Sequence, residues 1–441
     1  MKLRNLILAT VVLLALVGTL YWSDHRKPDE NTAKASSDAS PAILKLDSAT
    51  ITKIELKNKD AEPIVLDKNT SGTWQIAEPK PIPADQSTVS TAVSSLASLS
   101  SERLVEDKVS DAKQFGLDPP AAEIDITQKD NKTQKLLMGD TTPTGNAIYA
   151  MLAGDPRLFT MPSYEKTSID KSLNDLRDKR LITVDPDKIS RIDLIRNNQE
   201  IEFGRSKDEW QILKPKPLRA DDMQVGDLAR TLANARMNLN GPDASGVEAD
   251  SGFAHATPVA TAKVTDQSGT QQLQIRKNKD IYYAKSSVVD GTYKVDANLG
   301  QALDKGLDDF RNKKIFDFGY NAPEKIEMHS DSKAYFLTKG GNDWWSGNGK
   351  KMDAETAESF ISQLRDLSAS KFVETGFSNP TIELTVTSDG GKHVENVSIA
   401  KAGNVYVARC ANDPTLYQLT SISIDELQKS ADGLKPATSG K

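Results

Sequence analysis

The sequence predicts an α+β fold in which an N-terminal transmembrane helix precedes three tandem repeat units with mainly antiparallel sheets. Three observations predict this fold: an uncharged N-terminal stretch, one residue pattern that occurs three times, and alternating strands joined by short polar turns. The length of 441 residues allows about three ordinary domains. A composition of 37% hydrophobic and 27% charged residues excludes both a disordered chain and a membrane protein with many spans.

The charge balance and the cysteine count exclude several classes of function. Lys and Arg number 56, Asp and Glu number 62, and the formal charge is −6. This balance argues against the broad basic surface that nucleic-acid binding normally needs, so we expect no nucleic-acid partner. The single cysteine, Cys410, excludes an intramolecular disulfide and a zinc site of the CxxC type.

A run of uncharged residues lies between Arg4 and Asp24. As a helix this run is about 28 Å long, which is close to the hydrocarbon thickness of a bilayer. Lys2 and Arg4 precede it, and the positive-inside tendency keeps that end cytoplasmic. We therefore expect residues 1–5 to be a cytoplasmic end, residues 6–22 to span a bacterial inner membrane once, and the bulk of the chain to be periplasmic.

A cleaved signal peptide is the alternative, because a charged start followed by an apolar stretch is common to both. Signal peptidase requires small residues at positions −1 and −3. A cut after Gly18 would place Leu16 at −3, and a cut after Ser23 would place Tyr21 there, so the sequence favours an uncleaved anchor. Residues 23–42 are rich in Ser, Ala, Asp and Lys and are predicted to form a flexible tether.

One residue pattern recurs beyond the tether. WQIAEPKPIPAD from Trp74 returns as WQILKPKPLRAD from Trp210. The third copy keeps a tryptophan, which we align as Trp345, and replaces the proline segment with SGNGKKM. Each predicted unit is long enough to bury its own core. The predicted units are 43–186, 187–322 and 323–441.

Each tryptophan segment leads into a run with apolar residues at steps of three and four, which predicts a helix with one apolar face. Asp85, Asp221 and Asp353 stand just ahead of these runs. A carboxylate there accepts bonds from free backbone N–H groups, so we predict helix N-caps and not catalytic acids. The predicted buried positions are Val89, Val93, Leu96 and Leu99, then Val225, Leu228 and Leu232, then Ala357, Phe360, Leu364 and Leu367.

A glycine-aromatic element follows each helix and is predicted to be a turn: FGLDPP from Phe115, GFAHATP from Gly252 and GFSNP from Gly376. Alternating strands joined by polar turns come next, and their short connections require antiparallel pairing. Each unit is predicted to close with a helix. These helices begin near Ser168, Asn298 and Ser423, and the segments LRDKRLI and FRNKKIF align Arg177 with Arg311.

With these elements the chain resembles the bacterial domain-of-unknown-function family 4340. The resemblance rests on MKLRNLILATVVLLALVGTLYW, on WQIAEPKPIPAD with its helix, on FGLDPP, and on GDTTPTGNAIYA from Gly139. Members of this family look like envelope proteins encoded beside auxiliary subunits of ATP-binding-cassette transporters, including the gliding-motility type. The resemblance implies protein partners in an envelope transport complex and supplies no catalytic residue.

The sequence contains no GxSxG, HExxH, P-loop or GxGxxG motif. Lys350 and Lys351 follow a glycine without the P-loop spacing, which predicts a hairpin or a helix-entry loop. No histidine has a second histidine or a cysteine at ligand spacing; the four are His25, His255, His329 and His393. We therefore predict no catalytic, cofactor-binding or metal-binding residue, and no cofactor.

Three further groups of side chains were candidates for chemistry. Cys410 lies at the end of a predicted strand and is predicted to be an ordinary small residue, because a reactive thiol needs a nearby base or a helix N-terminus. Four tryptophans can form a sugar platform, but their position on alternating strands favours core anchors. The tryptophans are Trp74, Trp210, Trp344 and Trp345. The acidic candidates, for which no pocket is identifiable, are Glu78, Asp85, Glu106 and Asp107.

These observations lead to a non-enzymatic, membrane-anchored periplasmic scaffold or accessory subunit of an ATP-binding-cassette-type transport complex. A peptidoglycan- or glycan-binding module is one alternative and rests on the tryptophans. A glycan or peptide hydrolase is the other and rests on paired acidic residues. The sequence leaves the partner and the oligomeric state open.

Overall fold

In a computed structural model of the chain, the described residues are 41–207, 209–240, 247–318 and 323–438. The predicted cytoplasmic end, the predicted anchor and all but the end of the predicted tether lie outside them. Within these ranges no helix is both long enough and apolar enough to cross a membrane. The chain divides into two compact units, of which the first ends at Asp178 and the second begins at Lys179.

The first unit contains one antiparallel sheet with helices on one face. Its strands are β1 (Ile51–Asn58), β2 (Ile64–Lys68), β3 (Trp74–Glu78), β4 (Ile82–Pro83), β5 (Arg103–Glu106), β6 (Ala122–Gln128), β7 (Thr133–Thr141), β8 (Ala147–Leu152) and β9 (Leu158–Pro162). Its helices are α1 (Gln86–Ala97), α2 (Ser163–Ile169) and α3 (Leu173–Leu176). The strand order is β4-β3-β2-β1-β6-β7-β8-β9-β5. Ile54 and Leu56 of β1 are buried while Glu55 and Lys57 face the other side, which is the period-two pattern of a strand with one buried face.

The second unit contains two sheets, and the earlier one has the order β13-β12-β11-β10-β14-β15-β16-β17. Its strands are β10 (Arg191–Arg196), β11 (Gln199–Ser206), β12 (Glu209–Lys214), β13 (Leu218–Arg219), β14 (Thr257–Asp266), β15 (Gly269–Asn278), β16 (Ile281–Ser286) and β17 (Thr292–Val295). Its helices are α4 (Asp222–Ala233), α5 (Val247–Ala254), α6 (Ala297–Leu303) and α7 (Leu307–Phe310).

The later sheet of the second unit has the order β20-β19-β18-β22-β23-β24-β25-β21. Its strands are β18 (Lys325–Ser330), β19 (Lys333–Gly340), β20 (Asp343–Ser346), β21 (Lys371–Val373), β22 (Ile382–Ser388), β23 (His393–Ala402), β24 (Val405–Cys410) and β25 (Leu416–Thr420). Its helices are α8 (Ala354–Asp366) and α9 (Ser421–Asp432). We call the three sheets with their helices the first, second and third repeat.

The three sheets share one arrangement of strands. In each, the first strand of the repeat is central and pairs antiparallel with the second strand and with a later strand beyond the helix. These pairs are β1 with β2 and β6, β10 with β11 and β14, and β18 with β19 and β22. Ile54, Ile192 and Ile326 occupy the same place in these central strands, opposite Ile126, Val264 and Val386. The predicted α+β class, the antiparallel sheets and the repetition are therefore confirmed.

The helices α1, α4 and α8 lie over the sheets with their apolar faces buried, as their spacing predicts. In each repeat the helix face and the inner sheet face form one continuous hydrophobic core. All the predicted core positions are buried, including Leu99 and Leu367, which lie just beyond the ends of their helices. The core of each repeat is thus a helix packed on a sheet, in two layers.

Two kinds of predicted element are wrong: the closing helices of the first two repeats and one turn. The closing helix of the second repeat breaks between α6 and α7, and that of the first repeat breaks between α2 and α3. The aligned LRDKRLI and FRNKKIF segments leave the helix after their first residue, since Arg177 and Arg311 have extended backbone and form bridges to Ala84 and Ala220. The predicted closing helix of the third repeat is present as α9.

The predicted turn at GFAHATP is the other error, because Gly252 and Phe253 belong to helix α5. This helix contacts β15, β16 and β17, and its Ala249 and Phe253 form a small separate cluster with Tyr283. A Cβ atom on Gly252 would lie 2.4 Å from the ring of Tyr283, so the glycine permits the close approach of helix and sheet.

At each boundary, one short segment contributes its first residues to one repeat and its later residues to the next. In the first unit, the carbonyl of Leu176 accepts a bond from the backbone N–H of Asp85. In the second unit, Leu181 donates to the carbonyl of Ala235, and its side chain lies in the core of the second repeat. The boundary of the first unit after Asp178 therefore falls eight residues before the predicted one at 186.

The segment between the second and third repeats is shared in the same way. The carbonyl of Phe310 accepts a bond from the backbone N–H of Asp221, and Phe310 lies in the second core. Ile315 donates to the carbonyl of Leu367, and Ile315 and Phe316 lie in the third core. The residues that complete the third core thus precede 323, where the third unit is predicted to start.

Candidate functional site

The three aspartates that precede the helices are N-caps, as predicted. The Oδ1 atoms of Asp85, Asp221 and Asp353 accept bonds of 2.8, 3.1 and 3.1 Å from backbone N–H groups three residues later. All three aspartates have extended backbone, which places the side chain over the free N–H groups of the first turn. Their carboxylates are used to hold the helices.

The strand tryptophans are core anchors covered by cations. Trp74, Trp210 and Trp344 are 4%, 6% and 7% exposed. A cationic side chain of the neighbouring strand lies over each ring, at 5.5, 5.8 and 6.0 Å from the ring centroid. The three cations, in the same order, are Lys68, Arg205 and Lys339. The buried indoles cannot form a sugar platform, so the interpretation as core anchors is confirmed for these three.

The alignment of the third tryptophan at Trp345 is wrong. Trp344 pairs with Lys339, as Trp74 pairs with Lys68 and Trp210 with Arg205, so Trp344 is the equivalent residue. Trp345 points to the opposite face and is 38% exposed. The third copy lacks the proline segment that aligns the first two, so its sequence alone does not distinguish Trp344 from Trp345.

Two segments that carry the family resemblance contact each other in the first repeat. Gly116 of FGLDPP has a φ of 65°, and a Cβ atom on it would meet the Asp140 side chain at 2.4 Å. A Cβ atom on Gly139 would lie 2.1 Å from the carbonyl oxygen of Phe115. The Phe115 ring also packs edge-on against Tyr149, with centroids 4.9 Å apart. These motifs therefore fix the packing of one loop on the sheet.

A cluster of charged side chains lies where the second and third repeats meet, around Arg219 of β13. Its Nη1 donates to the carbonyl of Lys314 at 3.1 Å. Its Nη2 lies 3.1 Å from Oδ2 of Asp317 without the alignment of a hydrogen bond, so this contact is electrostatic. Burial acts to lower the pKa of Arg219, but the Asp317 carboxylate and the Tyr417 hydroxyl outweigh it and raise the pKa.

Glu395 of β23 lies in the same cluster with its side chain 14% exposed. Its Oε1 accepts a 2.7 Å bond from the backbone N–H of Asp317, and its Oε2 lies 3.4 Å from Nε2 of His393. Burial raises the pKa of Glu395 against the opposing effects of that backbone bond and of His393. Together with Arg219 and Cys410 these residues line a pocket of about 350 Å³.

A second arginine lies at the same junction. Arg311 stacks on Phe372 with its Cζ atom 3.5 Å from the ring centroid, and its Nη2 donates to Oγ1 of Thr415 at 3.3 Å. Nearby, Asp413 accepts a 2.6 Å bond from the Tyr417 hydroxyl. Burial acts to raise the pKa of Asp413, but its hydrogen bonds outweigh this effect and lower it. The two arginines therefore join the second repeat to the third.

Cys410 ends β24, as predicted, and its Sγ donates a weak bond to the carbonyl of Ile315 at 3.6 Å. Burial raises the pKa of the thiol to about 11, although the charge of Arg219 acts in the opposite direction. The thiol is therefore neutral near pH 7. Its surroundings are those of an unreactive side chain, since nucleophilic cysteines have depressed pKa values.

We expect Cys410 to react with iodoacetamide about a hundredfold more slowly in the folded chain than in the urea-unfolded chain at about pH 8. The thiolate is the nucleophile, and raising the pKa from 9.0 to about 11 lowers its fraction by that factor. Alkylation followed by mass spectrometry measures both rates. The folded-chain rate should still rise with pH after the unfolded-chain rate has levelled off. Equal rates in the two states would contradict the assignment.

Within the described part of the chain, three acidic side chains come together at one place, on β10 and β11. Ligand atoms of Asp193, Glu200 and Glu202 lie within 4.8 Å of one another. Arg191 contacts Asp193 and Glu202 at 2.8 and 3.2 Å, and Lys214 contacts Glu202 and Glu200 at 2.8 and 3.3 Å. The carboxylates are thus already paired with two cations in a network across three strands.

The other predicted candidates lie in separate places, except His393, which lines the junction pocket. His255 directly follows the last residue of α5, and its Nδ1 lies 2.8 Å from the carbonyl of Ser251. His329 packs against Phe336. Lys351 forms a hairpin bridge to Trp345 and an ion pair with Asp343. Glu78 and Glu106 end separate strands, β3 and β5. His25 lies outside the described residues.

Sequence reasoning missed Arg219. Its signal is visible in the repeated segments, because PKPIPAD of the first repeat has Pro83 where PKPLRAD of the second has Arg219. The two segments differ otherwise only by Ile82 in place of Leu218, so the change from proline to arginine marks a position with a different role.

Comparison with protein families gave two overlapping matches to one model, described as a domain of unknown function, DUF4340. The matches cover residues 74–238 and 210–387, which is more than half of the chain. They begin at Trp74 and Trp210, the two residues from which the tryptophan segment repeats. Comparisons with curated proteins and with solved structures gave no match.

Proposed function

The chain belongs to the DUF4340 family, and on that premise we propose that it is a non-enzymatic scaffold of a bacterial envelope. Residues 6–22 anchor it in the inner membrane, and the repeats stand in the periplasm as an accessory subunit of an ATP-binding-cassette-type transport complex. The anchor is supported by its length and by the charges that precede it. The transport partner is supported by the family resemblance.

One observation carries the scaffold proposal: the residues that recur between repeats are used to build the fold. The recurring aspartates cap helices, and the recurring tryptophans lie in cores under cations. The arginines that follow α3 and α7 make backbone bridges. Repetition of such residues multiplies a framework and its surface, whereas a single reaction needs a single active site.

The test is to isolate the full chain from membranes with a mild detergent, through a C-terminal tag, and to identify co-purifying proteins by mass spectrometry. We expect subunits of an ATP-binding-cassette transporter in stoichiometric amounts. The control carries residues 1–42 fused to an unrelated exported domain, which removes proteins that merely share the membrane. Transporter subunits retained equally by the control, or isolation of the chain alone, would contradict the proposal.

A glycan-binding module is the second candidate, and one observation favours it. Trp345 and Phe336 are both 38% exposed, and Phe336 lines an open groove of about 890 Å³ between β19 and the end of α9. Aromatic rings on an open surface are suited to stacking on sugars. Retention of the chain on isolated cell-wall material, lost in Trp345→Ala, would favour this function over a purely protein-binding scaffold.

A further inference from the structure

The repeats carry different charges at one set of equivalent positions. Glu395 pairs with Val386, and Gln271 occupies the same place in the second repeat, opposite Val264. The Oε1 atom of Glu395 accepts from the backbone N–H of Asp317 at 2.7 Å, and that of Gln271 accepts from Thr183 at 2.8 Å. The third repeat therefore has two carboxylates where the second repeat has an amide and a hydroxyl.

A third pair of equivalent positions also carries different side chains in the second and third repeats. Ser286 of the second repeat donates to the carbonyl of Leu181 at 2.5 Å, and Cys410 of the third donates to the carbonyl of Ile315. The backbone plan of this surface is thus kept in both repeats while its side chains change. We call the surface formed by Asp317, Glu395 and Cys410 the acidic socket.

The residue at the position of Arg219 differs between the first and second repeats, as the socket residues differ between the second and third. Arg219 of the second repeat contacts Asp317 in the acidic socket of the third repeat. The first repeat, which precedes the neutral set Thr183, Gln271 and Ser286, has Pro83 at the equivalent position. Arginine is therefore followed by carboxylates, and proline is followed by neutral side chains.

We infer that the acidic socket is an interaction surface specific for a repeat that ends in arginine at the position of Arg219. It selects the second repeat as the neighbour of the third and excludes a repeat of the first kind. This inference holds whichever partner the complete chain binds.

Electrostatic interactions favour arginine at this position and disfavour proline. Arg219 brings a positive charge within 3.1 Å of Asp317 and donates from Nη1 to the carbonyl of Lys314, in a setting where Glu395 is largely buried. A proline there would remove the Arg219 charge from the pocket that Asp317, Glu395, Lys392 and His393 line. The 3.1 Å contact of the guanidinium with Asp317 would be lost beside a largely buried Glu395, which is unfavourable. Specificity of this kind uses repulsion against the wrong neighbour as well as attraction for the right one.

The test is a cycle of variants in the full chain: Arg219→Pro, the neutral socket Asp317→Thr with Glu395→Gln, and all three changes together. Hydrogen exchange of peptides covering 313–318 and 393–397 reports opening of the junction. We expect Arg219→Pro to raise the exchange rate about fivefold, a value moderated by the exposure of Asp317, and the triple variant to restore most of the protection. Arg230→Ala is the matched control, since this exposed arginine pairs with Asp227 on α4, away from the junction.

The rescue decides between a charge-specific socket and simple packing. If Arg219 contributes only packing, Arg219→Pro will be equally damaging in the charged and the neutral socket, and the inference is overturned. A change below twofold in Arg219→Pro would overturn it as well. If Arg219→Pro does not fold, folding of the triple variant supports the inference and its failure to fold refutes it.

Discussion

Replacing Trp344 by alanine is expected to lower the free energy of unfolding of the third repeat by about 3–5 kcal/mol. The indole is 7% exposed, lies in the core with Leu337 and Met352, and is covered by Lys339. Removing it leaves a cavity between β20 and α8 that the rigid sheet cannot fill. Urea unfolding of the full chain measures the loss, and hydrogen exchange of peptides from β18 to β20 assigns it to the third repeat.

The neighbouring tryptophan is the matched control. Trp345→Ala removes the same side chain from the same strand, but on the outer face, where we expect a cost of about 1 kcal/mol or less. A larger effect at Trp345 than at Trp344 would mean that the two rings have been assigned to the wrong faces of β20. It would also restore the alignment of Trp345 with Trp74 and Trp210.

Gly139→Ala is expected to destabilise the first repeat by about 3 kcal/mol. The added Cβ atom would lie 2.1 Å from the backbone carbonyl oxygen of Phe115, and a backbone atom cannot rotate away as a side chain can. The loop that contains FGLDPP would have to move, and with it the packing of Phe115 on Tyr149. Equilibrium unfolding, with hydrogen exchange of peptides from β7 and β8, measures the effect.

Gly226→Ala is the control with the opposite sign. Gly226 lies within α4, and a Cβ atom there would meet only Nη1 of Arg230, at an ordinary contact distance of 3.6 Å. Alanine favours a helix interior over glycine, so we expect a gain of about 0.5–1 kcal/mol in the second repeat. If both glycine substitutions destabilise to the same extent, the close contact at Gly139 is not the cause.

The sequence predicted those parts of the fold that depend on local periodicity and on repetition. Steps of three and four placed the apolar faces of α1, α4 and α8, and the aspartates before them are caps because the first turn of any helix leaves N–H groups free. The closing helices were predicted too long, since LRDKRLI and FRNKKIF have helical spacing. Tertiary pairing overrides that spacing, because the backbone at Arg177 and Arg311 bonds to neighbouring segments instead.

The junction cluster depends on residues that are far apart in sequence, and this is why most of it could not be predicted. Asp317, Glu395 and Cys410 come from three segments that the fold brings together, and no spacing rule connects them. Arg219 was detectable by comparing the first two repeats position by position. His393 and Glu395 are two residues apart on β23, so the alternation of a strand places them on one face. Their place at the junction required the pairing of β22 with β23.

The repeat that the tryptophan motif defines and the repeat that the folded core defines do not begin at the same residue. Ile315 and Phe316 are encoded upstream of the third repeat's own tryptophan motif, yet they are 1% and 3% exposed in its core. A gene fragment that begins at residue 323 would lose both. A fragment that is to contain the complete core of the third repeat therefore has to begin before Ile315.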